Sequence, residues 1–298
     1  MRVTCFVRSA DGLRRLAVKV SGHPAGRPVF LLHGTPGSRL GPFPRGRVLY
    51  ELGVRLITFD RPGYGRSDPL ADRRVADVAA DVAAIADKLG IPTFAVLGRS
   101  GGGPHALACA ALLPGRVTRT AVLVGLAPLT AQGLDWFAGM ADSNVSEYTA
   151  ATAGRESLVA SIGLAAREVK ADPARLIAAL FEEMPESDQG VVADAGIRAM
   201  LVRNYAEAVR ITADGWYDDI LAFVSVWGFE PCDIDVPVLL WHGENDRFSP
   251  VSHSLWLGQE IPGAVVVVKP GSAHFDALTV MPEVLSWLIR ETAEQRAG

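Results

Sequence analysis

Short apolar runs alternate with longer helical patterns along this chain. The runs are Val29-Phe30-Leu31-Leu32, Val54-Arg55-Leu56-Ile57-Thr58, Thr93-Phe94-Ala95-Val96-Leu97, Ala121-Val122-Leu123-Val124, Pro237-Val238-Leu239-Leu240-Trp241 and Ala264-Val265-Val266-Val267-Val268. Runs so short and so rich in β-branched and aromatic residues predict buried strands. Leu16, Val18 and Val20 recur at every second position and predict a half-buried edge strand. Val75, Val78, Val82, Ile85 and Leu89 recur at three and four, which predicts a helix, ended by Gly90 with Pro92 beyond it. Gly103 to Leu113 reads as a buried helix. Pro282 starts a last helix, with Val284, Leu285, Leu288 and Ile289 along one face, and the polar tail from Glu291 is expected to fray. Strands alternating with helices predict an α/β fold: a doubly wound, mostly parallel sheet covered on both faces.

The alternation stops between residues 127 and 232. No strand pattern occurs there, only helical stretches from Ser157 to Lys170, Ala174 to Met184 and Val192 to Ile211, punctuated by Pro173, Pro185 and Gly190. The stretch is rich in large apolar side chains, among them Trp136, Phe137 and Met140.

Composition narrows the function. A net charge of −4 over 298 residues argues against nucleic-acid or anionic-membrane partners. No run reaches the roughly 18 apolar residues needed to cross a bilayer. The first residues lack the apolar core and small-residue cleavage site of a signal peptide. Three scattered cysteines make neither a disulfide framework nor a zinc site, and the histidines lack metal-binding spacing. The expectation is a cytoplasmic protein, monomer or homodimer, with a small-molecule substrate and neither metal nor cofactor.

The chemistry centres on Gly98-Arg99-Ser100-Gly101-Gly102, which reads G-x-S-x-G between a strand and a helix. A turn that sharp strains the serine, admits only small neighbours, and presents the hydroxyl at the sheet's edge beside a helix N-terminus. Three further loops each follow a strand. His33-Gly34-Thr35-Pro36-Gly37 lies upstream and, by itself, is a plain β-turn. His242-Gly243-Glu244-Asn245-Asp246 offers a carboxylate, Asp246 or in reserve Glu244, and Gly271-Ser272-Ala273-His274-Phe275 offers a base. The loop Asp60-Arg61-Pro62-Gly63-Tyr64-Gly65-Arg66-Ser67-Asp68 reads as structural, with no part in the chemistry.

Taken together, HGTPG, DRPGYGRSD, GRSGGG, HGEND and GSAHF in this order resemble the α/β-hydrolase family, over roughly residues 12–128 and 233–295. The resemblance implies a hydrolase core at 1–126 and 233–298, with a helical cap at 127–232 over the active site. It implies Ser100 as nucleophile, His274 as base and Asp246 as the acid that orients it, in the chain order of that scaffold. It implies an oxyanion hole from the Thr35 and Gly101 backbone N–H groups, with Trp136, Phe137 and Met140 lining the pocket. The expected activity is hydrolysis of a carboxylic ester, lactone or thioester of a small, largely hydrophobic substrate through an acyl-enzyme. A serine at the elbow disfavours dehalogenases and epoxide hydrolases, which carry aspartate there. The loop reads HGTPG where proline iminopeptidases have HGGPG, and such a peptidase would need cap acids, for which Glu182, Glu183 and Glu186 are available. C–C bond hydrolases, non-hydrolytic biosynthetic enzymes and ligand-binding receptors share the scaffold and remain alternatives. Arg99 has two readings: an ion pair with Asp60 or Glu244, or a contact to an anionic substrate.

Overall fold

A computed structural model describes residues 4–290; the tail from Glu291 lies outside the described residues. Eight strands form one sheet: β1 (Thr4–Arg8), β2 (Arg15–Gly22), β3 (Arg27–Leu32), β4 (Val54–Phe59), β5 (Phe94–Arg99), β6 (Val117–Leu123), β7 (Val238–Gly243) and β8 (Val265–Lys269). Their order is β1-β2-β4-β3-β5-β6-β7-β8, antiparallel in the β1–β2 and β2–β4 pairs and parallel elsewhere. Every apolar run named above overlaps a strand to within a residue at its ends, but β8 is not buried: it closes the edge of the sheet and leaves Val265, Val267 and Val268 exposed. Strand β2 is not an edge: β1, which has no pattern of its own in the sequence, pairs along its open side, so Leu16, Ala17 and Val18 are all buried.

The core follows from the two-residue period of the strands. Phe30 and Leu32 of β3 join one apolar cluster, while Val29 and Leu31 join the other on the opposite face. In β5, Phe94 and Val96 divide from Ala95 and Leu97 in the same way. Helices α1 (Gly46–Glu51), α2 (Val78–Lys88) and α3 (Gly102–Leu112) cover these faces. Val78, Val82 and Ile85 of α2 seat on the first cluster, with Gly90 (φ +65°) just past the helix end.

Between β6 and β7 there are six helices and no strand: α4 (Asp142–Thr152), α5 (Arg155–Ala171), α6 (Ala174–Phe181), α7 (Glu186–Ala193), α8 (Ala195–Ala208) and α9 (Asp214–Val224). Of these, α4, α7 and α9 were not among the helical stretches expected from the sequence, although α9 carries Trp216, Ile220 and Phe223 at helical spacing. Helix α4 buries only Tyr148 and Ala151, too few to set a period. The helices share one continuous apolar cluster with the sheet, in which Leu158, Ile162 and Ile177 join Phe30 and Leu107. Helix α10 (Val251–Glu260) follows β7, and α11 (Met281–Leu288) closes the second face with Val284, Leu285 and Leu288. Among the described residues, no helix is long and apolar enough to cross a membrane.

Candidate functional site

The loops that follow β3, β5, β7 and β8 meet at one end of the sheet. Ser100 sits between β5 and α3 with φ +53°, a left-handed conformation that costs a non-glycine residue about 1 kcal/mol or more. Its N–H donates to Leu123 O at 2.8 Å, and its carbonyl accepts from Gly103 N at 2.7 Å, so the turn is pinned on both sides. The glycines are there for lack of room. A Cβ at Gly98 would run into the Gly102 backbone and Ala106, and one at Gly102 into the carbonyls of Leu32 and His33.

Asp246 and His274 meet across the next two loops. His274 Nδ1 lies 2.8 Å from Asp246 Oδ2. The other carboxylate oxygen accepts from the N–H groups of Phe248 (2.8 Å) and Ser249 (3.0 Å), and His242 Nε2 stands 3.3 Å from Oδ2. Burial by itself would raise the Asp246 pKa, but the His274 and His242 imidazoles and their hydrogen bonds hold it well below the usual carboxylate range. Asp246 is therefore ionised, and its contact with Nδ1 leaves Nε2 as the free nitrogen of His274. The ring packs edge-on against Phe248 and Phe275. Glu244, the reserve acid, is exposed.

Thr35 and Gly101 are brought side by side, since a Cβ at Gly101 would strike the Thr35 side chain. The Thr35 hydroxyl donates to Asp219 of α9 at 2.5 Å and accepts from Arg61 Nη2 at 3.2 Å. Asp219 is fully buried and also takes Arg73 at 2.7 Å, Tyr64 Oη at 2.8 Å and His105 Nε2 at 3.1 Å, besides an ion pair with Arg61. The loop at 60–68 thus supports the Thr35 turn through Arg61 and Tyr64. Asp60 itself is taken by Arg39 and by two backbone N–H groups.

Ser100, Gly101, Thr35 and His274 line one cavity. Leu126, Leu180, Ile220 and Phe248 give it an apolar side; Arg99, Glu147, Asn204 and Tyr205 give it a polar one, which the expectation of a largely hydrophobic pocket did not include. Trp136, Phe137 and Met140 do not line this cavity. Trp136 is buried with its indole N–H on Ala127 O (2.9 Å) and its ring against Phe137, Tyr148 and His253; Met140 is buried in the same cluster. Large aromatics so close behind a strand fill core, and the cavity wall is built from α4, α6, α8 and α9.

Residues 27–279 match the family model described as the alpha/beta hydrolase fold. The chain belongs to this family. Among curated relatives of this α/β-hydrolase, a non-heme haloperoxidase of Rhodococcus erythropolis is 26% identical over 293 residues, 95% of the chain and 98% of the relative. A proline iminopeptidase of Xylella fastidiosa is 37% identical over 131 residues, 43% of the chain; the match spans 41% of that relative's length. An esterase of Rhodococcus sp. ECU1013 superposes with a TM-score of 0.67 at 22% identity, covering 96% of this chain and 98% of the other. An enol-lactonase of Burkholderia xenovorans does so with a TM-score of 0.65 at 20% identity, covering 96% and 100%. At that identity the two structures speak for the fold.

Several polar residues of this α/β-hydrolase site were invisible in its sequence. Asp188 of α7 accepts from His274 N (3.1 Å) and Phe275 N (2.6 Å), a clamp on the histidine loop from a helix with no sequence signature. Glu147 faces the cavity, and burial together with Glu183 pushes its pKa up to about 8. Of the acids named from the sequence, Glu182 and Glu186 are exposed, and Glu183 accepts from Ser143 N at 3.0 Å and from its hydroxyl. Among the described residues, no group of three or more His, Cys, Asp or Glu is placed to hold a metal.

Proposed function

We propose that this protein is a serine hydrolase that cleaves a carboxylic ester, lactone or thioester of a small substrate through an acyl-enzyme on Ser100. The observation that carries the reading is the Asp246–His274 pair at 2.8 Å on the cavity that Ser100 lines. A serine hydroxyl is a weak nucleophile at neutral pH and needs a base. His274 Nε2 takes its proton as Oγ attacks the carbonyl carbon, then delivers it to the leaving group; Asp246 holds the tautomer and stabilises the imidazolium. The backbone N–H groups of Thr35 and Gly101 receive the oxyanion, an effect of roughly 3–4 kcal/mol per donor in comparable sites. Water activated by His274 then releases the acid and frees Ser100. The helices of residues 127–232 serve as a lid over a hydrolase core at 1–126 and 233–298.

A fluorophosphonate probe should label wild-type protein stoichiometrically at Ser100 and leave Ser100→Ala untouched. That variant should lose hydrolysis of short-chain aryl esters by at least about a thousandfold at unchanged secondary structure. Equal rates for the two proteins would refute the assignment.

The aminopeptidase alternative finds one acid in the cavity, Glu147. Burial and Glu183 push its pKa up to about 8, so a substrate amine would first have to draw off its proton, and among the described residues no second acid lines the cavity to share the task. The ester reading therefore stands ahead.

A further inference from the structure

Arg99 precedes the proposed nucleophile and is 7% exposed. Neither ion pair considered for it forms: Asp60 is taken by Arg39, and Glu244 is exposed. Its Nε and Nη2 have no hydrogen-bond partner and are closed to solvent. The guanidinium lies 5.2 Å from the centre of the Phe275 ring, a favourable contact that does not neutralise its charge. Two carboxylates act on it through space, Asp188 and Asp246, and both are engaged, one by the N–H groups of His274 and Phe275, the other by His274. An arginine does not shed its proton, so a buried guanidinium without an acceptor is costly to keep. Arg99 stands in the wall between the cavity that Ser100 lines and a smaller one bounded by Ser38, Pro42 and Phe43.

The geometry fits a substrate group. Gly34 stands between the guanidinium and the nucleophile: a Cβ there would lie 3.4 Å from Ser100 Cβ and 3.6 Å from Arg99 Nη1. One small molecule can therefore reach both. The neighbouring polar groups on α8 are donors as well. Asn204 Oδ1 is fixed by Ser38 N (2.8 Å) and Ser38 Oγ (3.1 Å), which leaves its NH₂ for the cavity, and Tyr205 contributes a hydroxyl. Nε and Nη2 form one edge of the fork, the spacing that a carboxylate's two oxygens match.

Building on the serine-hydrolase reading, we propose that Arg99 receives a carboxylate of the substrate, so that the preferred ester carries a free acid a few bonds from the scissile carbonyl. On binding, the guanidinium rotates so that its unpartnered Nε–Nη2 edge, closed to solvent in this structure, meets the carboxylate, while the ester carbonyl lies over Ser100. The substrate class is then a half-ester of a short dicarboxylic acid, or a lactone or thioester with a pendant carboxylate.

Binding tests this independently of turnover. Calorimetric titration of Ser100→Ala protein with monomethyl glutarate and with dimethyl glutarate should show the monoanion binding at least about tenfold tighter. Adding Arg99→Met should abolish that preference, and Arg99→Lys should retain part of it, because it keeps the charge and loses the fork. Equal affinity for the two ligands overturns the proposal, whether or not the fluorophosphonate labels Ser100. Loss of labelling with the charge preference intact overturns only the serine-hydrolase reading. In turnover, the ratio of kcat/KM for 4-nitrophenyl hydrogen glutarate over 4-nitrophenyl pentanoate should fall at least about tenfold in Arg99→Met. A structural arginine would instead lower both values together. The Tm of ligand-free Arg99→Met should equal or exceed that of wild type, since an unpaired buried charge is replaced by an apolar chain. A large fall in Tm with no charge preference in either protein would mark Arg99 as structural.

Discussion

Ser100 is held in a backbone conformation that its own side chain disfavours, and the surroundings enforce it. Pinned through its N–H and its carbonyl, the residue stays at φ +53° whatever side chain it carries. Replacement by glycine therefore removes strain as well as the hydroxyl, whereas alanine removes the hydroxyl alone. Ser100→Gly should be more stable than Ser100→Ala by about 1 kcal/mol in urea unfolding, although both lack the proposed nucleophile. Equal stabilities would show that the turn relaxes when the side chain changes. Glu147 is a second residue set against its surroundings. Its pKa rises from the ordinary 4.5 to about 8, so between these values the folded state keeps a proton that the unfolded chain has lost. Stability from this group therefore declines as pH rises through that window. Glu147→Gln should match wild type in thermal unfolding at pH 4 and melt several degrees higher at pH 9. A gap that does not change with pH would contradict the assignment.

Helix α7 has eight residues; it sinks Val192 into the core and carries Asp188 to the loop after β8. Two backbone N–H groups beside the imidazole end on that carboxylate, so the loop that sets the Nδ1 contact to Asp246 is fastened from the helical insertion. Asp188 acts through the position of His274. Asp188→Ala should lower kcat for an aryl ester roughly tenfold with little change in KM, and should not abolish fluorophosphonate labelling. Asp188→Asn, which keeps one acceptor, should recover part of the loss. A change confined to KM would place Asp188 in substrate binding instead. These elements also show what the sequence could disclose. The elbow, β3 and β7 are written in local patterns: apolar runs that need burial on two faces, and glycines where backbones touch; β8 has the same kind of run, yet at the sheet's edge it leaves Val265, Val267 and Val268 exposed. Helices α4 and α7 are not, because few of their residues are apolar at a fixed spacing; α9 does carry Trp216, Ile220 and Phe223 at i, i+4 and i+7, a repeat only two turns long. Glu147, Asp188 and Asp219 have meaning only from what lies across from them. Trp136, Phe137 and Met140 illustrate the converse, since aromatic bulk signals burial without saying whether core or cavity is being filled.

The whole molecule is tied together beneath the site by Asp219. This one carboxylate, on α9, joins the loop after β3 through Thr35, the loop after β4 through Arg61 and Tyr64, the approach to α2 through Arg73, and α3 through His105. It links the helical insertion to the sheet at the place where the oxyanion donors are proposed to sit. Burial favours its neutral form, but Arg61 and Arg73, with His105 beside them, hold its pKa well below the usual 3.8. A depressed carboxyl contributes its full stability above the unfolded value and loses it as pH falls toward the folded one. Asp219→Asn keeps the shape and removes the charge, leaving Arg61 and Arg73 buried without their counter-ion, and such a break costs about 3–5 kcal/mol. The variant should therefore unfold at much lower urea than wild type at pH 7, and the difference should narrow as pH drops below about 4. Its turnover of an aryl ester should fall as well, because the Thr35 hydroxyl loses its anionic partner and the turn bearing that N–H is less firmly held. A variant with wild-type urea midpoint at pH 7 would mean that the two arginines find other acceptors, and that insertion and sheet are joined by apolar packing alone.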